Sequence, residues 1–530
     1  MEHFVPIMSF LAYTGLVALY SWYKCKHDNM QSAEGYFLGG RSLTGIFIAG
    51  SLILTNLSTE QLVGLNGQSY KTSMVVMAWE VTAPVALICF AMIFLPKYLK
   101  SGIATIPKFL EQRYDSRVRQ IITILFLLGY GLVFLPTVLY SGALVLDGLF
   151  SIHEWIGVSQ MASVAMIAAM IGCIGISYVV SGGLKAVAVS DTINSVGLLV
   201  GGLFIPILGL IALADGSLVE GVKTLVTNHP EKLNAIGDNS SPVPWPTLFL
   251  GLFFNNLFYF CTNQAIVQRA FGAINLAEAQ KGALYAGFFK IIDAFFLVIP
   301  GIIAYHLYGT SLSNADMAYP TLVMDVLPKP LTGLFAAILF GAIMSAFNGA
   351  LSSSVTLFSL DIYKPMINQA ATEEQTVKVG RRFAIALAGI AILVAPLIYF
   401  APSGLYYYLQ ESFGFYNIPI IAAVVVGIYS KWVPAMAVKI ALLSHIVLYG
   451  ASKVFLGDIH FLYILSALFP INILVLLLVG KYKPRAEAFI EHHTDEVDVT
   501  PWKHVKLASC LLIGCMLFIY AIFSKIGLAA

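Results

Sequence analysis

The stretch "SLILTNLSTEQLVGLNG", Ser51–Gly67, decides the fold. It begins and ends apolar. Its middle, Thr55-Asn56-Leu57-Ser58-Thr59-Glu60-Gln61, is polar at every position but Leu57. An amide or carboxylate at bilayer depth is costly unless it faces a cavity or a partner. A run this dense predicts a helix that breaks in mid-membrane, where irregular backbone is tolerated only against protein or a water-filled space. A second such run is "GLFFNNLFYFCTNQ", Gly251–Gln264, five spans later. Discontinuous helices in corresponding positions of two halves mark an inverted-repeat secondary transporter. The plain alternative is a pair of Ser/Asn-rich helix–helix contacts. Asn56 and Gln61 together with Glu80 in the next span argue against it.

The whole chain agrees with a membrane setting. Of its 530 residues, 58% are hydrophobic and 11% charged, against roughly 25% charged in soluble domains. An all-α polytopic membrane protein with fourteen spans is predicted, at about 6–23, 43–68, 74–97, 120–148, 156–180, 186–212, 245–268, 282–308, 332–362, 383–402, 405–428, 433–453, 460–480 and 507–527. With the N-terminus outside, 22 Lys and Arg fall in inside loops and six outside, as the positive-inside rule expects. Both termini are then outside. The first span has no cationic n-region or small-residue cleavage site and reads as retained. No soluble segment is long enough to fold alone, so residues 1–530 form one integral domain in a lipid bilayer. The net charge of +2, without a basic tract, gives nucleic acid no footing. The six scattered cysteines read as small apolar residues. No nucleophile–base pair, metal-ligand spacing or phosphate loop appears, so the chain is not read as an enzyme.

The polar residues at bilayer depth suggest a solute. Asn56, Gln61, Asn256, Tyr259 and Gln410 are neutral donors and acceptors, while Glu80 and Lys290 bring one charge of each sign. A polyhydroxyl solute wants neutral hydrogen bonds, a carboxylate to accept from hydroxyls and an aromatic face. Tyr259, Phe260 and Trp79 supply such faces. These residues point to a sugar. Lys290 and Asp293, three apart, could instead form a purely structural pair. Glu60 lies beside this set with no contact assigned to it.

Several motifs resemble the sodium–solute symporter family. "YVVSGGLKA" (Tyr178–Ala186) is similar to its signature. "LSTEQLVGLNGQSY", "SGIATIPKFL", "EAQKGALYAGFFK" and "DIYK" resemble its sugar branch, the sodium/galactose and sodium/glucose transporters. The resemblance implies a leucine-transporter-like fold of two inverted five-helix repeats, 43–212 and 245–428. An extra N-terminal helix (6–23) would precede them, and further helices (433–527) would follow. It implies sodium as coupling ion, no other cofactor, and a galactose- or glucose-like hexose as solute; the alternatives are sodium-coupled symport of another small polar solute (amino acid, sialic acid, vitamin) and a sugar uniporter or sensor with weakened sodium coupling. The family's sugar site falls on Asn56, Gln61, Glu80, Asn256, Tyr259, Lys290 and Gln410. Its inner gate falls on Tyr259 and its outer gate on Leu65, Trp79 and Tyr406. A further sugar-contacting hydroxyl is replaced by Ala83. The sodium site falls on carbonyls of Leu54, Leu57 and Ala342, the Ser345 hydroxyl and the next position, where this chain has Ala346 in place of a serine. Asp191 matches an acidic residue on the cation exit path, or else caps the start of the sixth span. The implied location is a bacterial inner membrane.

Overall fold

The computed structural model describes residues 4–26, 31–312, 314–400, 405–491, 494 and 497–529. Among them it contains helices and two isolated β-bridges, Leu43 with Ala273 and Asn275 with Asp498. Eleven helices are long and apolar enough to cross a membrane, from Val5–Cys25 to Val505–Ile522. Two bent pairs add a crossing each: Gly45–Asn56 with Thr59–Lys71, and Leu405–Phe413 with Asn417–Tyr429. The short helices Gly251–Cys261 and Gln264–Phe271 stand where the seventh span was expected. Among the described residues, the eleven helices and two bent pairs make thirteen crossings by length and composition, and this shorter pair holds the place of the one remaining expected span; positions 401 and 402, at the end of the expected tenth, lie outside the described residues.

The second span bends by 59° at its polar run. Leu57 (φ −81°, ψ 101°) and Ser58 (φ −125°, ψ 176°) are extended. The last turn closes with Leu57 N–H on the Ile53 carbonyl, and the next helix starts with Gln61 and Leu62 N–H on Ser58. The Leu54 to Leu57 carbonyls thereby lose their usual i+4 donors. The seventh span breaks at Thr262-Asn263. There the Asn263 side chain caps the second half by accepting from Ala265 N–H, and it accepts from the Tyr130 hydroxyl at 2.5 Å. The eleventh span also breaks, by 46° across residues 414–416, where the sequence predicted a continuous crossing.

The fifth and sixth spans run together as Gln160–Leu213 through a kink at Gly183, φ 57°. A Cβ there would meet the Tyr36 carbonyl at 2.7 Å, so both conformation and space call for glycine. The eighth span kinks at Val298. Carbonyls near this kink accept from the second span: Asn66 Nδ2 donates to Phe296 O (3.2 Å) and Ser69 Oγ to Val298 O (2.8 Å). Gly301 N–H answers with a bond to Asn66 Oδ1 (2.9 Å). A Cβ on Gly301 would lie 2.0 Å from the Asn66 carbonyl oxygen. Gly301→Ala is therefore expected to destabilise by about 1–3 kcal/mol, read as a lower midpoint of thermal unfolding in detergent.

Arg269 corrects the loop reading. It was counted as an inside-loop cation, but it lies fully buried in the second half of the seventh span. That half-helix runs on to Phe271, beyond the expected end at 268.

Candidate functional site

The breaks in the second, seventh and eleventh spans and the start of the third enclose one polar pocket. Its walls include Asn56, Glu60, Gln61, Trp79, Glu80, Asn255, Asn256, Tyr259, Tyr406 and Gln410, with Phe134, Phe260, Leu409 and Phe413 as apolar cover. Six of the seven expected sugar residues are therefore brought together. The walls close on about 20 Å³, room for about one water molecule. A hexose enters only if these side chains part.

Two hydrogen-bonded chains build the walls. In the first, Gln61 Nε2 donates to Glu80 Oε1 (2.9 Å), and Lys290 Nζ holds the other oxygen, Oε2. Lys290 also lies 3.2 Å from Asp293 Oδ2. Lys290 is thus set behind the wall, outside the pocket lining. It fixes Glu80, which corrects its expected place among the lining groups. The Lys290–Asp293 pair exists as well, so both readings of that lysine describe one triad. In the second chain, Asn417 Nδ2 donates to Asn255 Oδ1 (2.8 Å) and Asn255 Nδ2 to Gln410 Oε1 (3.1 Å). Asn417 starts the half-helix after the third break, so that break is wired to the pocket. Asn256 Nδ2 donates to Thr82 Oγ1 (3.0 Å), beside the alanine that replaces the family's hydroxyl.

Four buried polar atoms of the lining residues have no partner: Asn56 Oδ1, Glu60 Oε2, Gln61 Oε1 and Trp79 Nε1. Three are acceptors and one is a donor. Unmet groups at this depth call for an explanation, and a solute rich in O–H donors meets them.

Of the expected gate residues, Trp79 and Tyr406 meet edge to face at 5.4 Å. Phe461 of the thirteenth span also stacks on Trp79, ring centroids 6.2 Å apart. Leu65 is buried but does not line the pocket. Tyr259 lines it.

The expected ion residues lie where the second and ninth spans cross. The helices are close: a Cβ on Gly349 would lie 2.8 Å from Thr55 Cγ2. Ala342, Ser345 and Ala346 are buried, and Ser345 Oγ has no hydrogen-bond partner. The freed Leu54 and Leu57 carbonyls and this hydroxyl are hard oxygen donors of the kind a small cation takes; the Ala346 side chain offers none. Asp191 sits well inside its helix, and its Oδ2 accepts from Ser51 Oγ at 2.6 Å. It is no cap. Arg269 donates to Thr55 Oγ1 at 3.4 Å and faces Asp191 electrostatically.

Sequence reasoning passed over Thr82 and Phe461, and it noted Asn255 without assigning it to the site. The doubled Asn255-Asn256 was the available signal for the last of these.

The family model described as "Sodium:solute symporter family" matches residues 36–447. An uncharacterized symporter, YidK, of Escherichia coli (strain K12) is 49% identical over 524 residues, covering 99% of this chain and 92% of the relative. A sodium/glucose cotransporter of Vibrio parahaemolyticus is 32% identical over 456 residues, 81% of each chain. The solved structure of a Na+-coupled sialic acid symporter, substrate-bound and outward-open, superposes with TM-score 0.79 at 21% identity, covering 93% of this chain and 100% of that one. At that identity the likeness shows the fold, which is leucine-transporter-like.

Proposed function

Because this chain belongs to the sodium:solute symporter family and is a multi-pass sodium-coupled symporter, we propose that its solute is a neutral, hexose-like sugar taken up by alternating access. The observation that carries this reading is the set of unmet acceptors, Asn56 Oδ1, Glu60 Oε2 and Gln61 Oε1, on one closed pocket with aromatic walls. A sugar offers hydroxyl donors to those oxygens and a ring face to Tyr259. The cotransporter of Vibrio parahaemolyticus, named for glucose, supports the same class.

In this reading the binding residues are Asn56, Gln61, Glu80, Asn256, Tyr259 and Gln410, with Lys290 acting through Glu80. Trp79 and Tyr406, backed by Phe461, close the outer side. Sodium binds the Leu54, Leu57 and Ala342 carbonyls and the Ser345 hydroxyl. Asp191 lies on the ion's exit path toward the inside. The repeats are 43–212 and 245–428, both termini face outward, and the membrane is the bacterial inner one.

Coupling follows from the position of the break. Sodium on the Leu54 and Leu57 carbonyls orders the segment that also presents Asn56 and Gln61. Sugar then binds the sodium-loaded form better, and the linkage is reciprocal. One sodium crossing ~100 mV gains about 2.3 kcal/mol. At about 1.4 kcal/mol per tenfold, this supports roughly 40-fold accumulation.

A thermal-shift panel tests the solute class. Galactose or glucose is expected to raise the unfolding midpoint in sodium, and to do so less in potassium. An amino acid or sialic acid that stabilises while every neutral sugar fails would overturn the sugar reading.

A further inference from the structure

The charged residues that line the pocket are Glu60 and Glu80, and among the described lining residues none is a cation. Lys290, the nearby cation, is engaged by Glu80 and Asp293. It has no free charge to offer a solute. Glu80 is satisfied at both oxygens, by Gln61 and Lys290. Glu60 differs. It is 2% exposed; the Ser58 and Ser141 hydroxyls face its carboxyl group, and its Oε2 has no donor at hydrogen-bond distance. It lies in the first turn of Thr59–Lys71, where the positive end of the helix favours a carboxylate.

We propose that Glu60 restricts this pocket to uncharged polyols, accepting a hydroxyl from a neutral sugar and repelling sugars that carry a carboxylate. The proposal rests on the sugar reading above and narrows it. A neutral sugar gives Glu60 Oε2 the donor it lacks. A uronate brings a third carboxylate into a low-dielectric space already lined by two, and a like charge at close range disfavours it. It also adds acceptors where the walls are already rich in unmet ones.

The two functions of Glu60 separate on substitution. Glu60→Gln keeps the shape and removes the charge, and its amide can still accept. Glu60→Asp keeps the charge and shortens the reach. The assay is displacement of a radiolabelled neutral hexose from purified protein in sodium, using galactose, glucose, galacturonate and glucuronate as competitors. In the unsubstituted protein each uronate is expected to compete at least 100-fold more weakly than its parent hexose. Glu60→Gln is expected to bind the neutral hexose about tenfold more weakly and to shrink the discrimination against uronate at least tenfold. Glu60→Asp is expected to keep the discrimination despite weaker binding. The unfolding midpoint in sodium reports whether each variant is folded.

A uronate that competes within threefold of its parent hexose in the unsubstituted protein overturns the proposal. So does an unchanged discrimination ratio in folded Glu60→Gln, or its loss in Glu60→Asp. If no neutral hexose binds the unsubstituted protein, the sugar reading itself fails and takes this inference with it. That result differs from binding with an unaltered ratio.

Discussion

Lys290→Ala is expected to destabilise the protein by about 3–5 kcal/mol and to abolish solute uptake. Lys290 is 1% exposed and is held between Glu80, 2% exposed, and Asp293, fully buried. Removing it leaves two carboxylates facing each other in the membrane core without a counter-charge. Breaking one partner of a buried pair costs far more than replacing the whole set by neutral groups of similar shape. The cost should therefore shrink in the triple substitution Lys290→Met, Glu80→Gln, Asp293→Asn. Uptake should remain absent in the triple variant, because the carboxylate at 80 would be gone from the pocket wall. Thermal unfolding in detergent and uptake into proteoliposomes measure the two halves separately. A Lys290→Ala protein with an unchanged midpoint and normal uptake would show that the triad has neither role.

The second large effect concerns the ion. Ser345→Ala removes the one side-chain hydroxyl left among the proposed sodium ligands. Ser345 Oγ is buried with no partner at hydrogen-bond distance, and the nearby charged group it faces within the protein is the Asp191 carboxyl. Interactions with a charged group contribute roughly 1.5–3 kcal/mol, or about a 10- to 150-fold change in affinity at 1.4 kcal/mol per decade. The sodium concentration for half-maximal sugar binding is expected to rise by at least tenfold, with little change in stability without sodium. Ala346→Ser is the converse substitution. It restores the hydroxyl that the family pattern carries there, and the half-maximal sodium concentration is expected to fall several-fold. If neither substitution moves the sodium dependence, the ion binds elsewhere.

The parts of this architecture that were legible in the sequence share one physical cause. In lipid, a polar side chain or an unpaired carbonyl has no water to turn to. Asn56, Gln61, Glu80, Asn256 and Lys290 therefore stood out against apolar surroundings, and the polar centres of the second and seventh spans marked those two as broken. The family resemblance added which of these residues share a site. What stayed hidden depends on packing between distant segments. The break at 414–416 carries no dense polar run; it is held from outside by His445, whose Nε2 lies 2.9 Å from the Gly414 carbonyl, and by Asn417 on Asn255. Phe461 reaches the Trp79 gate from a span that reads as ordinary apolar helix. Arg269 looked like a loop cation because it lies one residue past the apolar stretch. Leu65 shares the broken span with Gln61, but its side chain does not reach the pocket, which spacing alone did not reveal.

The most direct test of the account is sugar uptake into proteoliposomes holding the purified protein. Labelled galactose or glucose is supplied outside, and an inward sodium gradient is compared with equal sodium on both sides and with a potassium gradient. The account predicts transient accumulation above equilibrium in the sodium gradient alone, and none when Gln61→Ala replaces the unsubstituted protein. Uptake that the sodium gradient does not stimulate would contradict sodium-coupled sugar symport, and a normal rate for Gln61→Ala would contradict the site.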